Sequence, residues 1–194
     1  MPHTASVQST AKGTLWPKYF LILYVVGVGA DLVPDLIFGN KLFIHPTGLA
    51  LDLYSDAIYV TDTENNRVFR SDNRYALTNN SMSDLIFGQA DIGSVSPDQG
   101  LGGGNCSAQT LWYPVGAAVD ESGSLWVVDY NSNRALQFQN AATITTNDPS
   151  AQLALGQPNL DSNFPNTTAS SLSLPYQVRS YGGNLWVADL QNKR

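Results

Sequence analysis

The residues best suited to chemistry are an aspartate and an arginine that recur together around a polar turn. The repeated positions are Asp62, Asn66 and Arg67, then Asp129, Asn133 and Arg134, and finally Asp189 and Arg194. A turn aspartate can accept backbone N–H bonds, and a guanidinium can form a charge-assisted pair with a carboxylate. Because a specific site needs asymmetry, this recurrence favours a structural turn, with Arg67 and Arg134 pairing with carboxylates between repeated units. A repeated ligand-contacting rim is the alternative interpretation.

Four other residues are candidates for binding. Trp112 and Tyr113 form an aromatic pair before a proline, and an exposed pair there would anchor a partner. Asp91 and Asp98 lie in a long polar loop and are weak candidates for calcium, although no D-x-D-x-D-G loop occurs. His45 precedes a proline and is expected to be extended, and one histidine does not make a zinc site.

No catalytic motif accompanies these residues. The sequence has neither a G-x-S-x-G elbow nor a phosphate-binding G-x-x-x-x-G-K-[ST] run. The single cysteine, Cys106, cannot form an intrachain disulfide and is interpreted as an incidental thiol. We therefore predict no catalytic residue, no metal and no cofactor.

An internal repeat positions the polar turns. Each turn follows a strand-like stretch that ends in aspartate, at residues 57–62, 124–129 and 184–189. Each such stretch follows a proline-led strand that begins at Pro46, Pro114 or Pro175. A third strand follows the first two turns, and a fourth recurs at residues 35–40, 84–89 and 153–158. Mid-strand aromatics, at Tyr59, Trp126 and Trp186, are expected to form core between units.

Four short antiparallel strands in a repeated unit are typical of a β-propeller blade, so we predict an all-β, incomplete propeller with almost no helix. The hairpins are expected at residues 121–124 and 182–184, where glycine tolerates positive φ. The unequal unit lengths are assigned to loops at residues 91–110 and 159–173.

These motifs together resemble NHL repeats, and the resemblance covers roughly residues 35–194. It implies a propeller that binds proteins or peptides, or in some branches RNA; some relatives are lyases. The third copy departs from the pattern because its first strand lacks both the glycine and the aspartate, and the chain stops inside the third turn. We expect the chain to be the N-terminal part of a longer protein, with further blades of the same protein as neighbours; assembly of a ring from several copies is the alternative.

The N-terminal residues 1–30 are predicted to be a signal peptide or hydrophobic leader, followed by the partial propeller at residues 31–194. A basic segment precedes an apolar run that is too short to span a bilayer. Glycosylation sequons begin at Asn79, Asn105 and Asn166. A secreted or cell-surface protein is therefore expected; a buried strand is the alternative for the apolar run.

The charge balance restricts the class of partner. The formal net charge is -6, and an acidic surface repels phosphate backbones, so nucleic acid is not expected as a partner. The sequence predicts a non-catalytic scaffold that presents loops to a protein or peptide outside the cell. The alternatives are an extracellular sensor domain of a membrane receptor and a propeller lyase whose metal site lies in a missing part.

Overall fold

A computed structural model describes residues 43–77, 83–102 and 105–194, together with two short strands nearer the N-terminus. The described residues contain no α-helix, and three single turns of 3-10 helix occur at Thr63–Asn65, Pro97–Gly100 and Ala141–Thr143. The all-β prediction is confirmed. The predicted leader lies outside the described residues apart from β1 (Ile22–Leu23), which pairs antiparallel with β2 (Leu36–Ile37).

Two four-stranded antiparallel sheets make up most of the described chain. The first unit consists of β3 (Pro46–Leu51), β4 (Ile58–Asp62), β5 (Arg67–Ser71) and β6 (Leu85–Phe87). The second unit consists of β7 (Pro114–Val119), β8 (Leu125–Asp129), β9 (Arg134–Phe138) and β10 (Leu153–Leu155). The third unit is the hairpin of β11 (Pro175–Tyr181) and β12 (Asn184–Asp189). Each strand pairs with the next one along the chain, as in the blade of a propeller.

The first strands of successive units lie side by side, because β3 contacts β7 and β7 contacts β11. Glycine permits this approach. A Cβ on Gly48 would lie 2.9 Å from the carbonyl oxygen of Val115, and one on Gly116 would lie 3.2 Å from that of Tyr176. The third unit has Gln177 in the corresponding place. The sheets do not close into a ring among the described residues.

Each unit has the same irregularity in its first strand. The register between the first and second strands shifts between Pro46 and Gly48, between Pro114 and Gly116, and between Pro175 and Gln177. The residue at each shift is Thr47, Val115 or Tyr176. A β-bulge turns a side chain away from the alternation of a regular strand, so these three residues are directed alike at one end of the sheets.

The main apolar core lies between the first and second units. Tyr59 of β4, Phe87 of β6 and Val127 of β8 belong to it and are fully buried. A smaller core between the second and third units contains Val128 and Val178, and Trp126 packs against it half-buried. Burial of these apolar faces is the main force that holds the units together.

The prediction that all three mid-strand aromatics are core is wrong for Trp186, whose exposed fraction is 64%. Its neighbours Leu185 and Val187 pack against the second unit. Because side chains alternate along a strand, Trp186 points to the opposite face. No sheet of the described residues packs on that face.

Candidate functional site

The repeated polar turn is an ion pair within one unit. In the second unit, the Arg134 Nε donates to Asp129 Oδ2 at 2.9 Å, and both side chains are fully buried. The Trp112 backbone N–H donates to Asp129 Oδ1 at 2.7 Å. Burial raises the pKa of the Asp129 carboxyl, and the guanidinium opposes that rise. The expected pairing of arginines with carboxylates between units is therefore wrong, because the partner carboxylate belongs to the same turn.

The other two nitrogens of the Arg134 guanidinium, Nη1 and Nη2, bond to the loops that connect the second unit to its neighbours. Arg134 Nη1 donates to the Leu160 carbonyl in the loop that leaves the second unit. Its Nη2 donates to the carbonyls of Ser107 and Thr110, at 3.1 and 2.9 Å, in the loop that enters the unit. One buried side chain thus connects two loops, and the charge-assisted bonds make the connection strong.

The asparagine of each of the first two polar turns accepts a hydrogen bond from the backbone at the start of the following unit, and we call this bond the clamp. Asn66 Oδ1 accepts from the Tyr113 N–H at 2.9 Å, and Asn133 Oδ1 accepts from the Leu174 N–H at 2.9 Å. Tyr113 and Leu174 precede the repeated prolines and have positive φ, 61° and 46°. His45 stands in the same position with φ 57°, so the prediction that it is extended is wrong. A hydrogen bond to the backbone offsets the cost of a backbone conformation that these residues rarely adopt.

The clamps and bulges together line a cavity, which we call the tyrosine cavity. Its volume is about 380 Å³, and it is lined by His45, Thr47, Tyr113, Val115, Tyr130, Asn131 and Tyr176. Three of these residues are the bulge residues of the three units, and two more are pre-proline residues. Tyr130 and Asn131 come from the polar turn of the second unit. The cavity therefore draws on all three units at the end where their first strands begin.

Aromatic rings form much of the cavity wall. The ring centroids of Tyr113 and Tyr130 lie 6.1 Å apart, and those of Tyr130 and Tyr176 lie 6.3 Å apart with planes at 83°. Burial raises the pKa of Tyr113, and the nearby Glu64 carboxylate adds to that rise. Glu64 Oε1 also lies 3.5 Å from His45 Nδ1. The wall thus combines aromatic rings with a histidine that lies close to a carboxylate.

The structure separates the four residues predicted to bind. Tyr113 lines the tyrosine cavity, whereas Trp112 does not. Both are half-buried, so they are not the exposed pair that the sequence suggested. Asp91 is exposed, and its Oδ1 accepts from the N–H groups of Gly93 and Ser94 in a local turn. Asp98 is fully buried in the same loop, away from the cavity.

Sequence reasoning missed Tyr130 and Tyr176 as site residues. The usable signal was their position in the repeat, since Tyr130 directly follows the turn aspartate Asp129 and Tyr176 directly follows the repeated Pro175. Both positions lie at the end of the sheets where the polar turns and the pre-proline residues meet.

Comparison with known families identifies the repeat. The sequence pattern of the NHL repeat matches residues 43–70 and 111–138, which span the first three strands of the first and second units. Two segments of the chain, one in each of the first two units, are therefore NHL repeats. No protein with a curated description matches it.

Several solved structures are similar to this NHL chain. A streptogramin B lyase is 16% identical, with a TM-score of 0.44, over 76% of this chain and 35% of that one. A luciferin-regenerating enzyme is 16% identical, with a TM-score of 0.48, over 82% and 42%. The calcium-binding protein regucalcin from Agrobacterium tumefaciens is 13% identical, with a TM-score of 0.40, over 73% and 37%. The NHL chain spans less than half the length of each.

A second cleft, of about 290 Å³, lies between the second and third units at the opposite end of their first strands. Its wall includes Asp120, Glu121 and Trp126. Asp120 already accepts bonds from the Trp126 Nε1, at 2.8 Å, and from the Ser122 and Ser124 N–H groups. Glu121 Oε1 accepts from the Gly183 N–H at 3.1 Å. These carboxylates are occupied within the protein, so the tyrosine cavity is the better candidate site.

Within the described ranges, no three histidine, cysteine, aspartate or glutamate side chains cluster as a metal site would require. Cys106 is buried, and burial raises the pKa of its thiol. A search of the same ranges for a helix able to cross a bilayer found none.

Two of the three sequon asparagines lie in the described structure. Asn105 and Asn166 are exposed. Asn105 Nδ2 donates to the Leu101 carbonyl at 3.0 Å, and Asn166 Oδ1 accepts from the Thr167 N–H at 2.7 Å. Asn79 lies outside the described residues.

Proposed function

We propose that this NHL-repeat chain is a non-catalytic binding scaffold that holds a protein or peptide partner in the tyrosine cavity. The observation that carries the proposal is the convergence of Tyr113, Tyr130 and Tyr176 on one open cavity. Tyrosine supplies a large rigid contact area together with a polar hydroxyl, and it is enriched among residues that dominate binding energy. A cavity built from three units is also asymmetric, which the repeated polar turn is not.

The polar turns support the site rather than form it. The Asp129–Arg134 pair is fully buried and cannot touch a partner. The neighbouring loops at residues 91–110 and 159–173 connect to the units at the same end as the cavity, where a bound partner would reach them. They are therefore proposed to add specificity around the tyrosines.

The test uses peptides selected from a random phage-displayed library on the immobilised chain. Tyr176→Ala is expected to weaken their binding about tenfold or more, because Tyr176 is exposed and fills one wall of the cavity. Tyr181→Ala is the matched control, since it removes an exposed tyrosine at the other end of the same strand. Equal effects of the two substitutions, or no selectable peptide, would exclude the cavity as the binding site.

The partner is proposed to lie outside the cell, either in solution or as the ligand of a receptor's extracellular domain. The apolar run at residues 19–30 and the exposed sequon residues Asn105 and Asn166 support this location. A reporter fused to residues 1–30 should be exported from eukaryotic cells, and retention of the reporter inside them would contradict the proposal.

A further inference from the structure

The tyrosine cavity has the chemistry of a cation receptor. Aromatic faces attract a cation through the ring quadrupole, and the attraction increases as the site loses water. Tyr113, Tyr130 and Tyr176 all line the cavity, and the planes of neighbouring rings are inclined to each other by 54° and 83°. Among the described residues that line it, none is lysine or arginine.

A carboxylate completes this environment. Glu64 lies in the polar turn of the first unit, close enough to Tyr113 to raise the pKa of its hydroxyl group. It also lies 3.5 Å from His45, which is part of the cavity wall. The Glu64 side chain is about two-fifths exposed, so its charge is partly open to solvent. A cation that enters between the tyrosines would approach this carboxylate.

The charge of the whole chain acts in the same direction. The formal net charge of -6 attracts basic partners over long distances and repels acidic ones. The second cleft, by contrast, is bordered by Asp120 and Glu121, whose oxygens already accept several bonds from the protein. Of these two clefts in the described part of the chain, the tyrosine cavity is the one that combines aromatic rings from two units with a nearby carboxylate.

We propose that the tyrosine cavity receives a basic side chain, arginine or lysine, of the partner peptide, held by the rings of Tyr113, Tyr130 and Tyr176 and by the Glu64 carboxylate. This inference rests on the proposed binding function and names the group that the site recognises. Arginine can stack its planar guanidinium on a ring, whereas lysine inserts a compact ammonium group.

The first experiment reads the composition of the selected peptides. Peptides that the wild-type chain selects from the random library are expected to be enriched in arginine or lysine relative to the unselected library. Absence of enrichment would overturn the basic-side-chain proposal. If the selected peptides nevertheless bound less tightly to the Tyr176→Ala variant than to the wild-type chain, the proposed scaffold function would stand although the basic-side-chain proposal had failed.

The second experiment changes only the charge of the ligand. A selected peptide is synthesised with its basic residue as arginine, lysine, citrulline or norleucine, and binding is measured by calorimetry. Citrulline matches arginine in shape but is neutral. The arginine and lysine peptides are expected to bind about tenfold more tightly than the citrulline and norleucine peptides. Equal affinities for arginine and citrulline would overturn the proposal.

The third experiment changes the charge of the protein. Glu64→Gln is expected to weaken binding of the basic peptide several-fold and to leave the citrulline peptide unaffected. Glu121→Gln is the matched control, because it removes a carboxylate at the opposite end of the units. If both variants weaken the basic peptide equally, the effect comes from net charge, and the role assigned to Glu64 is wrong.

Discussion

The loops at residues 91–110 and 159–173 are anchored alike but differ in length. Arg67 and Arg134 each donate an Nη1 bond near the start of a loop, to the carbonyls of Ile92 and Leu160. The next part of each loop is held by a glutamine side chain: Gln89 Nε2 donates to the Ser96 carbonyl in the first loop, and Gln157 Nε2 donates to the Phe164 carbonyl in the second. Near the end of the first loop, Arg134 Nη2 donates to the carbonyls of Ser107 and Thr110. In the second loop, Arg194 Nη2 donates in the same way to the carbonyls of Thr168 and Ser171.

The two loops differ in the segment between the carbonyl held by the glutamine and the first carbonyl held by the arginine Nη2. Asp98 and Asn166 occupy equivalent positions in the two loops. The backbone N–H of Asp98 donates to the Leu111 carbonyl, and that of Asn166 donates to the Leu172 carbonyl, and both leucines lie shortly before the next unit. Nine positions separate Asp98 from Ser107, whereas two separate Asn166 from Thr168, so this interval is seven residues longer in the first loop. Asn166 is exposed, but Asp98 is fully buried.

This difference shows which parts of the loop the fold requires. The anchors are backbone carbonyls, which any residue provides, so they tolerate changes of sequence but not of spacing. The segment between them varies in length, and in the first loop it encloses a carboxylate. Asp98 Oδ1 accepts from Thr110 Oγ1 at 3.1 Å, while Oδ2 has no hydrogen-bond partner in the described structure. Four pairs of substitutions test this comparison.

Arg134→Leu is expected to have the largest effect, because it removes the anchors of both loops and leaves Asp129 buried without its ion-pair partner. The free energy of unfolding should fall by about 3–5 kcal/mol in urea denaturation. Arg194→Leu is the control: the Asp189 carboxylate that it pairs with is also buried, but the Arg194 side chain is 41% exposed and anchors one described loop, so a smaller loss, of about 1–2 kcal/mol, is expected. Similar losses would refute the shared role of Arg134.

Leu111→Ala tests the apolar end of the longer loop. Leu111 is fully buried and packs closely against Gly88. If Gly88 carried a Cβ, that atom would lie 2.5 Å from Leu111 Cδ1. Removing its side chain should cost about 2–4 kcal/mol of unfolding free energy, since a cavity remains. Leu172→Ala, at the same place in the shorter loop, should cost less because Leu172 retains 8% exposure. The reverse order would show that the longer loop packs less tightly.

Asp98→Asn tests the enclosed carboxylate with the residue that the shorter loop carries. Burial raises the pKa of Asp98 to about 6; Asp129 adds to the rise, and Thr110 and Arg134 oppose it. Because this value exceeds the ordinary pKa of about 4, Asp98 favours folding at low pH, and that contribution is lost as the pH rises through about 6. The variant should therefore be more stable than wild type at pH 7 by about 1–3 kcal/mol.

The difference between Asp98→Asn and wild type should decrease from pH 7 to pH 4, as measured by urea denaturation across this range. Other carboxyls titrate in both proteins and cancel in the difference. Asn166→Asp is the reciprocal control, and its exposed site should show little pH-dependent change. A constant difference between wild type and Asp98→Asn would mean that folding does not raise the pKa of Asp98.

Asn66→Gly and Asn133→Gly should have the smallest effects and should match each other. Glycine keeps the positive φ of these positions, 54° and 52°, but removes the clamp on Tyr113 or Leu174. Each variant also loses the Nδ2 bond to the carbonyl of Val95 or Asn163, so each loss should be about 1–2 kcal/mol in thermal or urea unfolding, at about 1 kcal/mol for each hydrogen bond. A difference greater than this between the two variants would show that the loops are not anchored alike.

The repeat in the sequence predicted the strands, the hairpins and the polar turns, because strand alternation and turn residues are local properties. It did not predict the exposure of Trp186 or the burial of Asp98, since both depend on what packs on a face from outside the local segment. The tyrosine cavity was also only partly foreseen. Tyr113 was selected as an aromatic before a proline, but the bulge that directs Tyr176 is visible only in the pairing of strands.

The guanidinium of Arg134 restricts how this chain can change in evolution. Its two nitrogens fix the distance between the end of one loop and the start of the next. Residues inserted outside the anchored carbonyls would move one of these contacts, whereas residues inserted between Asp98 and Ser107 leave both in place. New surface for recognising other partners can therefore arise in that interval without disturbing the sheets.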